Sequence, residues 1–384
     1  MNEIETNTVI VGASAAGLAC AARLKKAQVP YEILEQHSHV AHAWRNHYDR
    51  LHLHTNKGFS ALPFLPFPEE YPKYPSRDQV VEYLERYADK LELQPNFNQR
   101  VTSIRRGNGG WVTETERGDS FISDNVIVAT GYSRKPHIPT WEGQELYKGP
   151  ILHSSQYKNG RPFSGERVLV VGFGNSACEI VLCLYEHGAE PAMSVRSPVN
   201  IVPRDILGIP VLSIGIFLSN LPPRLADTLN APLLRLLVGD YTQYGLEKPD
   251  YGPVEQIKKH RQVPVLDIGT LDLIKKGEVT IYGDIERFYP EGVIFEEEGE
   301  EQFDAVILGT GYRPAVHEFL EHYEEVTDEE RIPIRSGEET QLPGLYFCGF
   351  YVSNTGMLRA IYEESEKIAD SISQKDLSVV AEKT

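Results

Sequence analysis

Two segments of the chain share one pattern of apolar and small residues. Residues 8–17 read TVIVGASAAG and residues 168–177 read VLVVGFGNSA, so each is a short β-branched run followed by a glycine turn. A helix-forming stretch follows each turn, over 18–26 and 178–187, and a second short apolar run follows each helix. This order predicts a strand–turn–helix–strand unit that occurs twice.

Two further strand-and-glycine segments are similar to each other, NVIVATGY at 125–132 and AVILGTGY at 305–312. We expect them to be the closing strands of two α/β units. Because the second repeated unit lies between them, the pattern predicts an α/β fold with two nested Rossmann-like dinucleotide-binding domains. The predicted first domain comprises residues 1–160 and 305–384, and the predicted second domain, residues 161–304, is inserted in it.

The first glycine turn is predicted to bind a pyrophosphate. A turn of small residues between a strand and a helix lets backbone N–H groups approach phosphate oxygens at the helix N-terminus. Glu35 lies at the end of the following strand, where a carboxylate accepts hydrogen bonds from the two hydroxyls of a ribose. A unit with an acidic residue at this strand end is typical of FAD-binding domains. The small residues of its turn are Gly12, Ser14, Ala15, Ala16 and Gly17.

The second strand–turn–helix–strand unit carries a different charge at the end of its second strand. The equivalent strand end carries Val195 and Arg196 and no acidic residue. A guanidinium pairs with a 2′-phosphate, which a carboxylate would repel, so this unit is predicted to bind NADPH. Because the two units differ in charge at their strand ends, they are expected to bind two different dinucleotides. This combination predicts a glutathione-reductase-like flavoprotein. The residues of the second turn are Gly172, Gly174, Asn175, Ser176 and Ala177.

Composition excludes several classes of partner. With 38 basic and 55 acidic residues the net charge is −17, which argues against binding to nucleic acid or to an anionic membrane surface. The four cysteines form no CxxC pair and no zinc-type spacing, which argues against dithiol chemistry and a metal site. They are typical of a reducing compartment, and we expect a cytoplasmic protein.

The most apolar stretch, 206–221, contains glycine and proline and is shorter than the roughly twenty residues of a spanning helix. It predicts a buried or interfacial hairpin and no transmembrane segment. Contact of this hairpin with a membrane surface, or with a second copy in a homodimer, is left open.

One motif resembles a known family. Tyr147-x-Gly149-x₃-His153-x₃-Tyr157, just before the second turn, is similar to the identifying motif of flavin-containing monooxygenases. Trp44-Arg45, and the proline-rich run 62–68 behind them, resemble the YUCCA branch of that family. A length of 384 residues suits a bacterial YUCCA-like member.

The resemblance implies an NADPH- and dioxygen-dependent flavin monooxygenase. Such an enzyme forms a C4a-hydroperoxyflavin and transfers one oxygen atom to a small molecule, either at an amine or sulfide heteroatom or at a keto acid or ketone. The sequence is also compatible with a Baeyer–Villiger-type monooxygenase and with an NADPH-dependent flavin reductase or oxidase that has no dedicated oxygenated product. A non-catalytic redox sensor is a further hypothesis, from a different functional class.

The resemblance also implies functional residues. A polar side chain beside the flavin is expected at His54 or at Asn56, and the choice between these catalytic candidates stays open. Further residues are expected to contact FAD or to couple NADPH binding to the arrangement of the domains. They are Ala43, Trp44, Arg45, Val101, Thr130, Gly131, His153, Tyr157, Gly311, Gly349, Met357 and Leu358.

Overall fold

The computed structural model describes residues 2–206, 209–211, 221–351, 353 and 355–382. Numbered along the chain, the α-helices of these ranges are α1 (Ala15–Lys26), α2 (His42–Asn46), α3 (Lys57–Ser60), α4 (Arg77–Lys90), α5 (Asn175–Glu186), α6 (Pro223–Val238), α7 (Pro253–His260), α8 (Thr270–Lys276) and α9 (Met357–Glu382). Short 3₁₀ helices lie at Gln144–Leu146, Arg161–Phe163, Thr242–Tyr244, Val316–Glu318 and Tyr323–Glu325. No helix in the described ranges has both the length and the apolar character needed to cross a bilayer.

A first sheet is formed by seven strands of the described chain. Its strands, from one edge to the other, are β3 (Pro95–Asn96), β2 (Tyr31–Leu34), β1 (Glu3–Val11), β6 (Ser120–Val128), β5 (Gly110–Thr115) and β4 (Val101–Gly107), and β21 (Leu345–Phe347) also pairs with β6. Strand β1 runs parallel to β2 and to β6, with Val9 opposite Glu32 and Val126. Strands β5 and β4 extend the sheet in antiparallel fashion.

A second sheet is made of five parallel strands within the described residues. In spatial order they are β15 (Thr280–Tyr282), β10 (Glu190–Ser194), β9 (Arg167–Val171), β19 (Ala305–Leu308) and β8 (Ile151–His153). The two sheets, each with a strand–turn–helix unit at its centre, confirm the predicted α/β class with two Rossmann-like domains.

Two strands depart from the predicted domain bounds. Strands β8 and β19 lie outside 161–304, yet β19 pairs with β9 on one side and with β8 on the other. All four residues of β19 are buried, because this apolar strand lies inside the second sheet. Both strands, which the prediction assigned to the first domain, thus pair in the same sheet as strands of 161–304.

Smaller sheets complete the fold. They pair β11 (Ile201–Pro203) with β14 (Val265–Asp267), β12 (Asp205–Ile206) with β13 (Ile209–Pro210), β7 (Lys135–Pro136) with β20 (Tyr312–Arg313), and β16 (Ile285–Tyr289) with β17 (Gly292–Phe295) and β18 (Gly299–Gln302). The predicted apolar hairpin thus begins as β12 and β13, and its part at 212–220 lies outside the described residues.

Each domain has its own apolar core. In the first domain Leu18 of α1, Tyr83 of α4 and Ile368 of α9 belong to one buried cluster. In the second domain Ile180 of α5 packs with Val170 of β9. The sheets are therefore held by helices that lie on their faces, as expected for parallel strands joined by helical crossovers.

Helix α5 lies unusually close to the end of strand β19. A side-chain carbon at Gly309 would lie 2.7 Å from Cβ of Ala177 and 3.1 Å from the carbonyl oxygen of Val171. The dinucleotide fingerprint has glycine or alanine at the third position, where helix and strand pack closely. Here that position is Ala177, and the space is provided by a glycine on the facing strand.

Exchanging the two residues tests this packing. We expect Gly309→Ala to destabilise the protein by about 1–3 kcal/mol, because the added methyl overpacks a buried contact. Adding Ala177→Gly removes the 2.7 Å contact and leaves those with the carbonyl oxygen of Val171 (3.1 Å) and with Cα of residue 177 (3.2 Å), so the double variant should recover part of the loss. Urea unfolding of both single variants and the double variant measures the coupling. A double variant less stable than Gly309→Ala alone would contradict the packing.

A buried carboxyl group ties α9 to the turn after β21. Glu364 is 6% exposed, and its Oε2 accepts hydrogen bonds from the backbone N–H of Gly349 (2.7 Å) and the hydroxyl of Ser336 (2.9 Å). Burial raises the pKa of Glu364 to about 7, and the hydrogen bonds and the positive charge of Lys367 offset this only in part. The buried thiol of Cys348 lies beside the same carboxyl.

The raised pKa predicts a pH-dependent stability. The folded state binds this proton more tightly than the unfolded state, so the contribution of Glu364 is largest near pH 4.5 and is lost as the pH rises through about 7. Glu364→Gln carries no such proton, and relative to the wild type it should gain about 2–3 kcal/mol between pH 5 and 8. Urea unfolding at both pH values measures the gain. The control is Glu363→Gln, whose side chain is half exposed, and an equal pH trend in both variants would refute the assignment.

Candidate active site

The first glycine turn follows β1 and is shaped by close backbone contacts. Gly12 has a φ of +109°, and a side-chain carbon there would lie 2.8 Å from the carbonyl oxygen of Ala129. A side-chain carbon at Gly17 would lie 1.9 Å from the carbonyl oxygen of Gly12. Glycine is therefore required at both positions, and the first turn of α1 presents its N–H groups where the sequence predicts a pyrophosphate.

Glu35 is fixed next to this turn. It follows β2 directly, is 7% exposed, and accepts hydrogen bonds from the backbone N–H groups of Ala13 (2.8 Å) and His37 (2.9 Å). The carboxylate predicted to bind a ribose thus lies where β2 ends, within hydrogen-bond distance of the turn.

A cavity of about 380 Å³ opens beside the turn and Glu35. Two polar atoms on its wall are buried without a hydrogen-bond partner among the described residues, Oε1 of Gln99 and Oγ1 of Thr130. Buried polar atoms are rarely left unpaired, so these two fit a ligand with polar groups along its length. The walls and the open turn suit an adenine dinucleotide. The predicted residues that line the cavity are Gly12, Ser14, Glu35, Ala43, Val101 and Thr130.

Three histidines line one side of this cavity, a feature the sequence analysis did not single out. Burial is the main cause that lowers the pKa of His37, and it lowers the pKa of His42 and His47 to about 4. These imidazoles are therefore neutral at pH 7 and add no charge beside a pyrophosphate. Their spacing in the sequence carries no helical or strand periodicity that would have predicted a shared wall.

Other predicted residues of the first domain lie around the cavity without lining it. Ala15, Ala16 and Gly17 are buried in the first turn of α1. Arg45 pairs with Glu85 of α4, and Trp44 packs against the apolar core of this domain. The structure therefore gives Arg45 an ion pair and Trp44 a packing role.

The second turn repeats the geometry of the first. Gly172 has a φ of +107°, and a side-chain carbon there would lie 2.8 Å from the carbonyl oxygen of Gly309. At Gly174, the residue before α5, no described atom lies within 4 Å of that position. Asn175 accepts a hydrogen bond from the backbone N–H of Leu266 (2.8 Å), and the side chain of Ser176 is hydrogen-bonded to the hydroxyl of Tyr48. The start of α5 is thus open at the point where a phosphate would approach.

Arg196 lies two residues after β10 and is exposed. Burial and then the positive charges of Arg313 and Arg196 lower the pKa of His137. Two exposed guanidinium groups therefore lie near one neutral imidazole at the end of the second sheet. Arg313 was not predicted, because it ends β20, more than a hundred residues further along the chain.

The two catalytic candidates lie in different surroundings. Nε2 of His54 pairs with the carboxylate of Glu179, a residue of α5 in the other domain that is 2% exposed. Asn56 accepts a hydrogen bond from the backbone N–H of Gly58 (2.8 Å) and so begins helix α3. His54 lines a separate cavity between the domains, which Arg50, Lys73 and Arg204 also line. The structure thus assigns both side chains a local partner, and neither lines the first cavity.

The linker motif runs through β8, the edge strand of the second sheet. Nδ1 of His153 accepts a hydrogen bond from the backbone N–H of Ser155 (3.1 Å), so Nε2 carries the proton and donates it to the carbonyl oxygen of Gly311 (3.0 Å). The ring of His153 also lies edge-on to Tyr312. Tyr157 is buried in the core of the second domain. His153 therefore fixes the turn after β19.

The remaining predicted residues belong to turns around the first domain. Gly131 and Gly311 have φ values of +81° and +80°, and no described atom lies within 4 Å of where their side chains would begin. A side-chain carbon at Gly349 would lie 3.1 Å from Cβ of Ala16 in the first turn. Met357 and Leu358 begin α9, the helix that packs on α1.

Comparisons with known proteins agree with this geometry. A family model described as pyridine nucleotide-disulphide oxidoreductase matches residues 9–203. The chain is 40% identical over 349 residues to the indole-3-pyruvate monooxygenase YUCCA1 of Oryza sativa subsp. japonica, covering 89% of this chain and 86% of that protein. It is 39% identical over 358 residues to the indole-3-pyruvate monooxygenase YUCCA6 of Arabidopsis thaliana, covering 90% of this chain and 86% of that one.

A solved structure shows the same fold. A flavin-containing monooxygenase from Stenotrophomonas maltophilia superposes with a TM-score of 0.73 at 23% identity, covering 96% of this chain and 99% of that chain. The family model and the relatives together confirm the resemblance found in the linker motif and the predicted pair of cofactors. The chain therefore belongs to the pyridine nucleotide-disulphide oxidoreductase family and, within it, to the flavin-containing monooxygenases, as an FAD-containing, NADPH-dependent monooxygenase that uses dioxygen and a small-molecule substrate.

Proposed function

We propose that FAD lies in the cavity beside the first turn, with its pyrophosphate at the start of α1 and a ribose on Glu35. The unpartnered atoms of Gln99 and Thr130 and the required glycines of the turn support this placement. Bound FAD supplies the redox chemistry and the reaction with dioxygen. The protein holds the cofactor and keeps its surroundings dry, a role that suits the neutral histidines of the cavity wall.

NADPH is proposed to lie on the start of α5, with its 2′-phosphate at Arg196. The support is the open space at Gly174 and the pair of exposed guanidinium groups of Arg196 and Arg313. The pairing of His54 with Glu179 is proposed to hold α5 in place relative to the FAD cavity. His54 and Asn56 both stay predictions for the polar group beside the flavin.

Arg196→Ala tests the position of the 2′-phosphate. Loss of one charge-assisted contact of about 1.5–3 kcal/mol should raise KM for NADPH by roughly ten- to more than a hundredfold and leave KM for NADH nearly unchanged. Steady-state NADPH and NADH oxidation measures both constants. Arg117→Ala serves as the control, since this arginine is exposed in the turn between β5 and β6. An equal rise of KM for both cofactors would reject the proposed contact.

For the substrate we propose a 2-oxo acid with an aryl side chain. The observation that carries this proposal is the 40% identity over 349 residues to a protein named indole-3-pyruvate monooxygenase. In the proposed reaction the 2-oxo acid, dioxygen, NADPH and a proton give the carboxylic acid one carbon shorter, carbon dioxide, water and NADP⁺.

The proposal is tested with ¹⁸O₂ and indole-3-pyruvate. The FAD-loaded protein should form indole-3-acetate with one ¹⁸O atom in its carboxylate and should release one carbon dioxide per NADPH oxidised. A thioether, a tertiary amine and a cyclic ketone form the comparison panel. A sulfoxide, N-oxide or lactone as the preferred product would overturn the substrate class. Hydrogen peroxide equal to the NADPH consumed, without any oxygenated product, would favour a flavin oxidase.

The cytoplasmic location and the homodimer are further proposals. The small number of cysteines and their burial as free thiols support a reducing compartment. A row of exposed leucines on α6, Leu225, Leu229 and Leu233, with Leu236 and Leu237, supports contact with a second copy.

A further inference from the structure

One residue of the cavity wall has a polar atom that no part of the sequence analysis explained. Gln99 follows β3 by three residues and lines the cavity beside Glu35 and Val101. Its Oε1 is buried and has no hydrogen-bond partner within the described residues. An amide oxygen left unpaired in a protein interior costs free energy, so this atom points to a donor supplied by a ligand.

The orientation of the amide is set by its other end. Nε2 of Gln99 donates a hydrogen bond to Oδ2 of Asp119 (3.0 Å), and Oδ1 of Asp119 accepts one from the backbone N–H of Asn2 (3.2 Å). These two hydrogen bonds lower the pKa of Asp119, so it is ionised near neutral pH and only accepts. The alternative amide orientation would set two acceptors against each other, so the oxygen of Gln99 is the end of the amide that has no partner among the described residues.

The place of Gln99 along the ligand follows from its neighbour. The backbone N–H of Gln99 donates to the carbonyl oxygen of Glu35 (2.8 Å), so the two residues are adjacent. Glu35 marks the ribose, and the pyrophosphate lies on its other side, at the first turn. The ligand group that meets Gln99 is then the base attached to that ribose. Among the groups of adenine, the exocyclic amino group is the hydrogen-bond donor.

We propose that Oε1 of Gln99 accepts a hydrogen bond from the exocyclic amino group of the FAD adenine and makes the site selective for that base. Asp119 is then a positioning residue, which acts by fixing the amide. This inference rests on the proposed FAD placement and adds the recognition of the base to it.

The experiment compares FAD with its hypoxanthine counterpart, in which an oxygen replaces the amino group. The full-length protein, stripped of flavin, is titrated with each compound, and the dissociation constants are read from the change in flavin fluorescence. The wild type should bind FAD at least about tenfold more tightly, because the hypoxanthine oxygen would face the amide oxygen. Gln99→Ala should reduce this preference to less than about threefold. Gln94→Ala, at an exposed glutamine in the same segment, should keep it.

Asp119→Asn provides a second and milder variant. An asparagine donates as well as accepts, so the amide of Gln99 is free to turn, and the preference for FAD should again fall. A wild type without any preference, or a Gln99→Ala variant that weakens both compounds equally, would overturn the contact with the base while leaving the FAD placement in force. Unchanged affinity of Gln99→Ala for both compounds would likewise overturn the contact, whereas failure of the wild type to bind either compound would overturn the placement itself.

Discussion

Both proposed cofactor sites depend on the same close backbone contact. A side-chain carbon added at the first glycine of each turn would lie 2.8 Å from a carbonyl oxygen at the end of the neighbouring strand. That strand is β6 in the first domain and β19 in the second, and in both it lies directly beside the strand that leads into the turn. Only glycine fits there, and the contact leaves the helix N-terminus open at the carboxyl edge of the sheet. The glycine turn, the strand-end charge and the linker are all arranged around this edge.

The local part of this arrangement could be predicted from the sequence. Short β-branched runs, small-residue turns and the charge at each strand end lie within about thirty residues of each other, so the positions of Glu35 and Arg196 just after their strands could be found by counting. The pairing of β8 and β19 within the second sheet could not be predicted, because these strands pair across about 150 residues and have no local signal. The proposed contacts of Gln99 and Arg313 were not predicted for the same reason, since they depend on groups that only the fold brings close.

The packing at Ala177 shows that a glycine outside the dinucleotide motif can provide the space that the motif requires. The approach of helix to strand needs one residue without a side chain, and it does not matter on which element that residue lies. Here the strand supplies it, because Gly309 accepts the methyl group of Ala177 at close range. A search that counts glycines within one motif scores this site as weaker than ideal. The physical requirement, a short distance between α5 and β19, is nevertheless met.

Three ion pairs between the domains come from one segment of the first domain, residues 50–73. Arg50 pairs with Glu186, His54 with Glu179 and Lys73 with Asp205, and each acidic partner belongs to the second domain. Two of these partners lie on α5, the helix that begins at the NADPH turn. Because Glu179 is nearly fully buried, its charge requires a partner, and among the described residues the first domain provides His54 in that place. The position of α5 relative to the first cavity is therefore coupled to the segment that also carries both catalytic candidates, which gives His54 a physical reason to be there in addition to the predicted contact with flavin.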